Sequence, residues 1–217
     1  MADLILYTNP MSRGRIARWM MEEVGAPYQT VVLGYGESMK GPDFLAINPM
    51  GKVPTLRHGD VVVTEGAAIC AYMADAFPER GLAPPPGDPS RGTYYRWLFF
   101  GAGPVEAVAT GKALGLLAPP DKKAMAGYGS YEDVMGALEI AVSGGTYLCG
   151  DQFTAADVYL GSQIGWGMQF GTLDKRPGLA EYYERISSRP AFARARELDD
   201  ADMAKVQPPQ PQPQASN

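Results

Sequence analysis

The chain has 217 residues, 46% of them apolar, and a formal net charge of −5. That length allows one large or two small domains with a proper core, and an acidic balance without any basic run argues against nucleic acid or an anionic membrane as the main partner. Two distant cysteines, Cys70 and Cys149, and one histidine, His58, leave neither a metal-site spacing nor the makings of a His-based triad; that usage points to a reducing, hence cytoplasmic, compartment.

Leu4 to Tyr7 is a short apolar run fit for a buried strand. Thr8-Asn9-Pro10-Met11 breaks it, and Ser12 is the expected N-cap of a helix. That helix carries Ile16, Trp19, Met20 and Val24 at helical spacing and ends at Gly25. Asp3 and the arginines at 13, 15 and 18 interrupt the opening residues, so no secretory leader is expected. No apolar stretch approaches the roughly eighteen residues of a membrane span. Tyr28 to Leu33 reads as a second strand, and Gly34 to Pro42 as a glycine-rich loop. A helical turn follows over Asp43 to Ile47. Val53 to Arg57 and Val61 to Val63, joined by His58-Gly59-Asp60, read as a β-hairpin. Glu65 to Phe77 reads as a helix. The order βαβ, then ββα, is complete by residue 82.

The proline run Pro84-Pro85-Pro86 marks the boundary. Residues 83–89 are expected to be a linker, and strand signals vanish beyond it. Tyr94, Trp97, Leu98 and Gly101 keep helical spacing, with a kink expected at Gly103-Pro104. A second long helix is expected from Lys122 to Val142. Thr154-Ala155-Ala156-Asp157 has the shape of a capping box, with Asp in place of the usual Glu or Gln, opening a helix that carries Val158, Leu160 and Ile164. Leu179, Tyr182, Tyr183 and Ile186 mark another helix, stopped by Pro190. The expected fold class is α/β plus all-α: a unit over 1–82, a helical unit over 90–205, and a disordered proline- and glutamine-rich tail over 206–217.

One stretch reads as more than scaffold. In Ile47-Asn48-Pro49-Met50-Gly51-Lys52-Val53-Pro54-Thr55-Leu56, Pro54 sits where a strand begins and has no N–H for a ladder. X–Pro is also the linkage in which a cis bond is cheapest. The Val53 N–H and C=O are therefore expected to point outward, free to pair with an extended, peptide-like ligand. Thr64-Glu65-Gly66-Ala67-Ala68-Ile69 places a carboxylate and a glycine at a helix start. Together the two stretches suggest a pocket that reads a peptide backbone and an ammonium group.

These stretches, with Tyr7 and the Asn9-Pro10-Met11-Ser12 loop, and with Cys149-Gly150-Asp151-Gln152-Phe153-Thr154-Ala155-Ala156-Asp157, resemble the cytosolic glutathione transferases. The resemblance implies a thioredoxin-like domain followed by an all-helical domain, homodimers, and glutathione as co-substrate with no metal. The wording Thr-Glu-Gly-Ala-Ala-Ile is similar to the bacterial beta class. That class typically carries cysteine where this chain has Ser12, and asparagine and histidine where it has Phe99 and Glu106. The resemblance implies a glutathione thiolate stabilised by Ser12, or by Tyr7 as in other classes. Val53 before Pro54 would pair with the cysteinyl unit, Glu65 would hold the γ-glutamyl ammonium, and Gly66 would offer its N–H to the neighbouring carboxylate. Lys52 and Lys40 are candidates for the glycyl carboxylate, and Asn9 is a further donor. An acceptor pocket is expected between the domains, with Met11, Trp97 and Phe100 as walls. The activity implied is attack of the thiolate on a small hydrophobic electrophile. Glutathione-dependent reduction of peroxides or disulfides, and a non-catalytic glutathione-binding regulatory protein, are the alternatives.

Overall fold

The computed structural model describes residues 3–206; the expected disordered tail from Gln207 onward lies outside them. Four short strands, β1 (Leu4–Thr8), β2 (Gln29–Val32), β3 (Thr55–His58) and β4 (Val61–Thr64), form one mixed sheet in the order β2-β1-β3-β4. β1 and β2 run parallel, while β1–β3 and β3–β4 are antiparallel. Helices α1 (Gly14–Val24) and α4 (Gly66–Ala76) cover one face, packing on Leu4, Leu6 and Leu56. The short α2 (Glu37–Lys40) and α3 (Pro42–Leu45) lie toward the other face, where Tyr7 packs with Met39 and Phe44. Strand alternation sorts the side chains: Leu4 and Leu6 to one face, Ile5 and Tyr7 to the other. The fold is thus a thioredoxin-like α/β unit followed by a helical one.

The helical unit comprises α5 (Ser90–Phe100), a π-helical stretch Gly101–Val105, α6 (Glu106–Leu114), α7 (Tyr131–Ser143), α8 (Ala155–Phe170), α9 (Pro177–Ser187) and α10 (Pro190–Asp202). Gly103-Pro104 does not end the first helix. The missing proline N–H is absorbed by the π-helical turn, and the chain continues into α6. α8 runs through the middle of this unit, buried from Ala155 to Gly165. Its capping box is present: Asp157 accepts the Thr154 N–H at 2.8 Å and the Thr154 hydroxyl at 3.0 Å.

Three expectations are corrected here. Ser12 is not the N-cap position, since α1 starts at Gly14; its Oγ nevertheless accepts the Gly14 N–H at 2.9 Å, satisfying one donor of the first turn. The helix expected over 122–142 is a 3-10 segment, Pro120–Met125, and a separate α7. Gly127 and Gly129 interrupt it, and Ser130 restarts the helix through a capping box with Asp133. Pro190 does not merely stop α9. It occupies the first turn of α10, where a proline's missing N–H costs nothing.

α10 returns to the first unit and lies along α1. Arg18 of α1 is buried there between Asp199 (2.8 Å) and Asp202 (2.6 Å) of α10. Charges so deeply buried are tolerable only in pairs. No helix among the described residues is long and apolar enough to cross a membrane.

Candidate functional site

Register brings three segments to one end of the sheet. Tyr7 of β1 stands opposite Thr55 of β3, and Thr55 opposite Thr64 of β4. The loop after β1, the turn before β3 and the residue after β4 therefore emerge side by side.

The first segment is the loop from Asn9 to Arg13. Asn9 is fully buried; its amide donates to the Leu33 carbonyl at 2.7 Å and accepts the Met11 N–H at 2.8 Å. Both ends of its side chain brace the loop, and its main-chain carbonyl accepts the Ser12 hydroxyl at 2.7 Å. Ser12 is half-buried at the start of α1, accepting one N–H and donating to one carbonyl. The next residue, Arg13, pairs with Glu106 of α6, whose carboxylate also accepts from Gln163 at 2.9 Å. Glu106 thus reaches the loop through Arg13, while Phe99 is exposed on α5. Tyr7 is a buried core side chain, its ring 5.5 Å from Phe44.

The second segment is the turn from Asn48 to Pro54. The Val53–Pro54 bond is cis. The β3 ladder begins at Thr55, and no hydrogen bond among the described residues takes up the Val53 N–H or C=O. The turn is held from below by buried Asn48, which donates to the Lys52 carbonyl at 2.9 Å and to Thr55 Oγ1 at 3.0 Å. Sequence reasoning passed over Asn48 and Thr55 as braces, although both lie inside the stretch it singled out. Lys40 Nζ donates to the Met50 carbonyl at 2.7 Å, which sets it against the same turn, and Lys52 is exposed beside Val53. Gly51 permits this closure: a Cβ there would lie 2.7 Å from the Met39 carbonyl oxygen.

The third segment is Glu65, exposed and immediately ahead of α4. It is the one non-glycine residue among those described with a positive φ, 66° with ψ 121°. Such a backbone costs on the order of 1–3 kcal/mol and persists where the surroundings enforce it. No side chain caps α4, so its first N–H groups remain open to an anion. Gly66 follows against Tyr159 of α8, where a Cβ would stand 3.1 Å from the ring.

A cavity of about 740 Å³ adjoins Ser12. Met11 and Ser12 line one side, and Trp166, Phe170, Tyr183 and Phe192 supply aromatic surface from the helical unit. Of the three expected walls, Met11 alone lines it. Trp97 is buried in the helical core, with Phe100 edge-on to it at 5.7 Å, because the apolar stripe of α5 faces α8. α10, which sequence reasoning did not resolve as a helix, supplies much of the opposite wall. The two cysteines take no part: burial pushes the Cys70 thiol far up and the half-buried Cys149 thiol up to about 11.

A family model described as the glutathione S-transferase N-terminal domain matches residues 11–76, and one described as the C-terminal domain matches residues 108–190. Glutathione S-transferase GstA of Escherichia coli O157:H7 is 30% identical over 154 residues, covering 69% of this chain and 75% of that one. Glutathione S-transferase GST-4.5 of Xanthomonas campestris pv. campestris is 30% identical over 194 residues, 83% and 91% of the two chains. Among solved structures, a glutathione transferase from Methylococcus capsulatus superposes with a TM-score of 0.76 at 30% identity, over 91% of this chain and 99% of that one. A sphingomonad glutathione S-transferase solved in complex with glutathione gives 0.71 at 29% identity, over 90% and 98%.

Proposed function

The chain belongs to the glutathione S-transferase family, and from that premise we propose that it binds glutathione at the shared end of β1, β3 and β4 and directs the thiolate at a small hydrophobic electrophile in the adjoining cavity. The observation that carries this reading is the convergence of an unpaired Val53 main chain with a strained, exposed Glu65 at an uncapped helix start. Those are the groups a tripeptide with an ammonium and a carboxylate at one end would use. Val53 pairs with the cysteinyl backbone, Glu65 takes the ammonium, and the Gly66 N–H takes the neighbouring carboxylate. Lys40 and Lys52 supply positive charge near the far carboxylate.

Ser12 is the thiolate-stabilising group in this reading. Its proton lies on the Asn9 carbonyl, a neutral acceptor. A thiolate is charged and competes strongly for that proton, aided by the α1 N-terminus and by Arg13. Lowering the thiol pKa by about two units requires about 2.7 kcal/mol in favour of the anion, within reach of one charged hydrogen bond and a helix terminus together. The sulfur lone pair then forms the bond to the electrophilic carbon as the leaving group departs with its electrons. Position and electrostatics supply the rate. The aromatic lining of the cavity supports an apolar acceptor.

Calorimetric titration with glutathione tests the placement. Binding should be abolished in Glu65→Ala and retained in Ser12→Ala, with turnover of an aryl halide lost in both. No heat of binding in the unmutated protein would refute the reading. A homodimer belongs to the same proposal, with the exposed pair Tyr95 and Phe99 (rings 6.3 Å apart) as apolar surface to cover. Sedimentation equilibrium reporting a monomer would remove that part.

A further inference from the structure

Thr8, the last residue of β1, has no role in the site as described so far. Alternation along the strand puts its side chain on the Leu4–Leu6 face, beneath α1, opposite to Tyr7. It is fully buried, and its Oγ1 has no hydrogen-bond partner among the described residues. Buried hydroxyls are rarely left so, and each instance calls for a physical account. The surroundings supply one. A Cβ on Gly14 would lie 2.0 Å from Thr8 Oγ1 and 3.0 Å from Ser12 Oγ. The two hydroxyls therefore bracket a space that only a glycine at position 14 leaves open.

Ser12 Oγ has one lone pair occupied by the Gly14 N–H and a second free, while its proton sits on the Asn9 carbonyl. Thr8 holds an unspent proton on the far side of the same small space, within about 5 Å of Ser12 Oγ but not bonded to it while Ser12 lies on the Asn9 carbonyl. We propose that Thr8 is a positioning residue for Ser12: its hydroxyl donates to Ser12 Oγ once the Ser12 side chain turns its hydroxyl from the Asn9 carbonyl to the glutathione sulfur. This rests on the reading of Ser12 given above. The chain Thr8 O–H to Ser12 O–H to sulfur is cooperative, because each donor polarises the next. It also holds Ser12 in the turned rotamer, and it accounts for a hydroxyl left unpaired while Ser12 points at Asn9. A threonine that merely fills space would behave differently. Replacing an unpaired buried hydroxyl by a methyl of the same shape is neutral or stabilising, so stability and thiolate formation should move in different directions.

The test follows thiolate absorbance against pH in the full chain saturated with glutathione, with urea unfolding in parallel. The unmutated protein should titrate below free glutathione. Thr8→Val should titrate about half to one pKa unit higher than the unmutated protein, with its urea midpoint unchanged or raised and glutathione affinity within about twofold. Thr8→Ser should restore the original titration, and Thr8→Ala, which removes the same hydroxyl by a smaller side chain, should repeat the Thr8→Val shift. In a Ser12→Ala background Thr8→Val should add nothing. If Thr8→Val and Thr8→Ala titrate with the unmutated protein while Ser12→Ala does not, the role of Thr8 is refuted and that of Ser12 stands. If Ser12→Ala itself leaves the titration unmoved, both fall, since Thr8 acts only through Ser12.

Discussion

Asp157 offers the sharpest test of how this fold is held together. It is fully buried, yet its carboxylate accepts four hydrogen bonds: the Thr154 N–H (2.8 Å) and hydroxyl (3.0 Å) on Oδ2, and the Leu148 N–H (2.9 Å) and Tyr182 hydroxyl (2.8 Å) on Oδ1. Asp157→Ala removes the acceptor from all four. The two hydroxyls can rotate toward other partners, but the two backbone N–H groups cannot, and each buried donor left without a partner costs about 1–3 kcal/mol. The two together, about 2–6 kcal/mol, are a large share of the roughly 5–15 kcal/mol that a domain has. With a urea m-value of about 2–3 kcal/mol per M, the midpoint should fall by about 1–3 M. Asp157→Asn keeps one oxygen but points an N–H at the Thr154 N–H, so its loss should fall between. Equilibrium urea unfolding followed by far-UV circular dichroism measures both. A loss below about 1 kcal/mol for Asp157→Ala would show that the loop over 148–154 finds its partners elsewhere, and the account of α8 as the anchored centre of the helical unit would fail.

Asp199 should make stability depend on pH in the direction opposite to an ordinary surface carboxylate. Burial pushes its carboxyl up from 3.8 to about 6, against the opposing pull of Arg18. Between those values the folded chain binds more protons than the unfolded one, so its contribution to stability falls as pH rises from about 4 to 6. Urea midpoints taken across that range should show the slope, and Asp199→Asn should flatten it; a variant with the same slope would remove Asp199 as its source. Glu65→Gly should relieve the positive φ of 66°. Strain of about 1–3 kcal/mol set against a glycine's entropy cost of about 0.5–1 kcal/mol leaves a net gain near 1 kcal/mol, seen as a higher melting temperature, together with loss of glutathione binding. A lower melting temperature would mean that the backbone at Glu65 is not strained.

Much of the first unit could be read from the sequence because its elements carry local signatures. The Leu4–Tyr7 run, the helical spacing of Ile16, Trp19, Met20 and Val24, and the glycine turn at 59 each specify themselves within a few residues. The second unit was harder where one signal carries two meanings. Pro190 ends one helix and starts another, and a proline after an apolar stripe does not say which. Ser130 and Asp133 repeat the box chemistry of Thr154 and Asp157 with the same short acid at N3, but the apolar spacing on both sides masked the break at Gly127 and Gly129. The walls of the cavity were illegible for a different reason. Which face of α5 carries Trp97 follows from pattern, but that this face meets α8 and not the cavity depends on how the helices pack.

The site divides in the same way. Val53, Pro54, Glu65 and Gly66 are legible because the main-chain recognition proposed for them needs a fixed local sequence: an X–Pro before a strand, and an acid and a glycine ahead of a helix. Their supports are not. Asn48 and Thr55 beneath the turn, Arg13 and Glu106 beside the loop, and the shared space of Thr8, Ser12 and Gly14 each join residues through the third dimension, with no spacing rule to announce them. Three features that break local rules nevertheless meet at one end of the sheet: an unpaired main chain at Val53, a strained backbone at Glu65 and an orphaned hydroxyl at Thr8. Departures of this kind persist only where the surrounding fold is stable enough to bear the cost, and they concentrate at functional sites. That is why a buried α8 anchored at Asp157 and an α10 fastened along α1 matter to a site that neither of them forms alone: they supply the rigidity against which the strained end of the sheet is held.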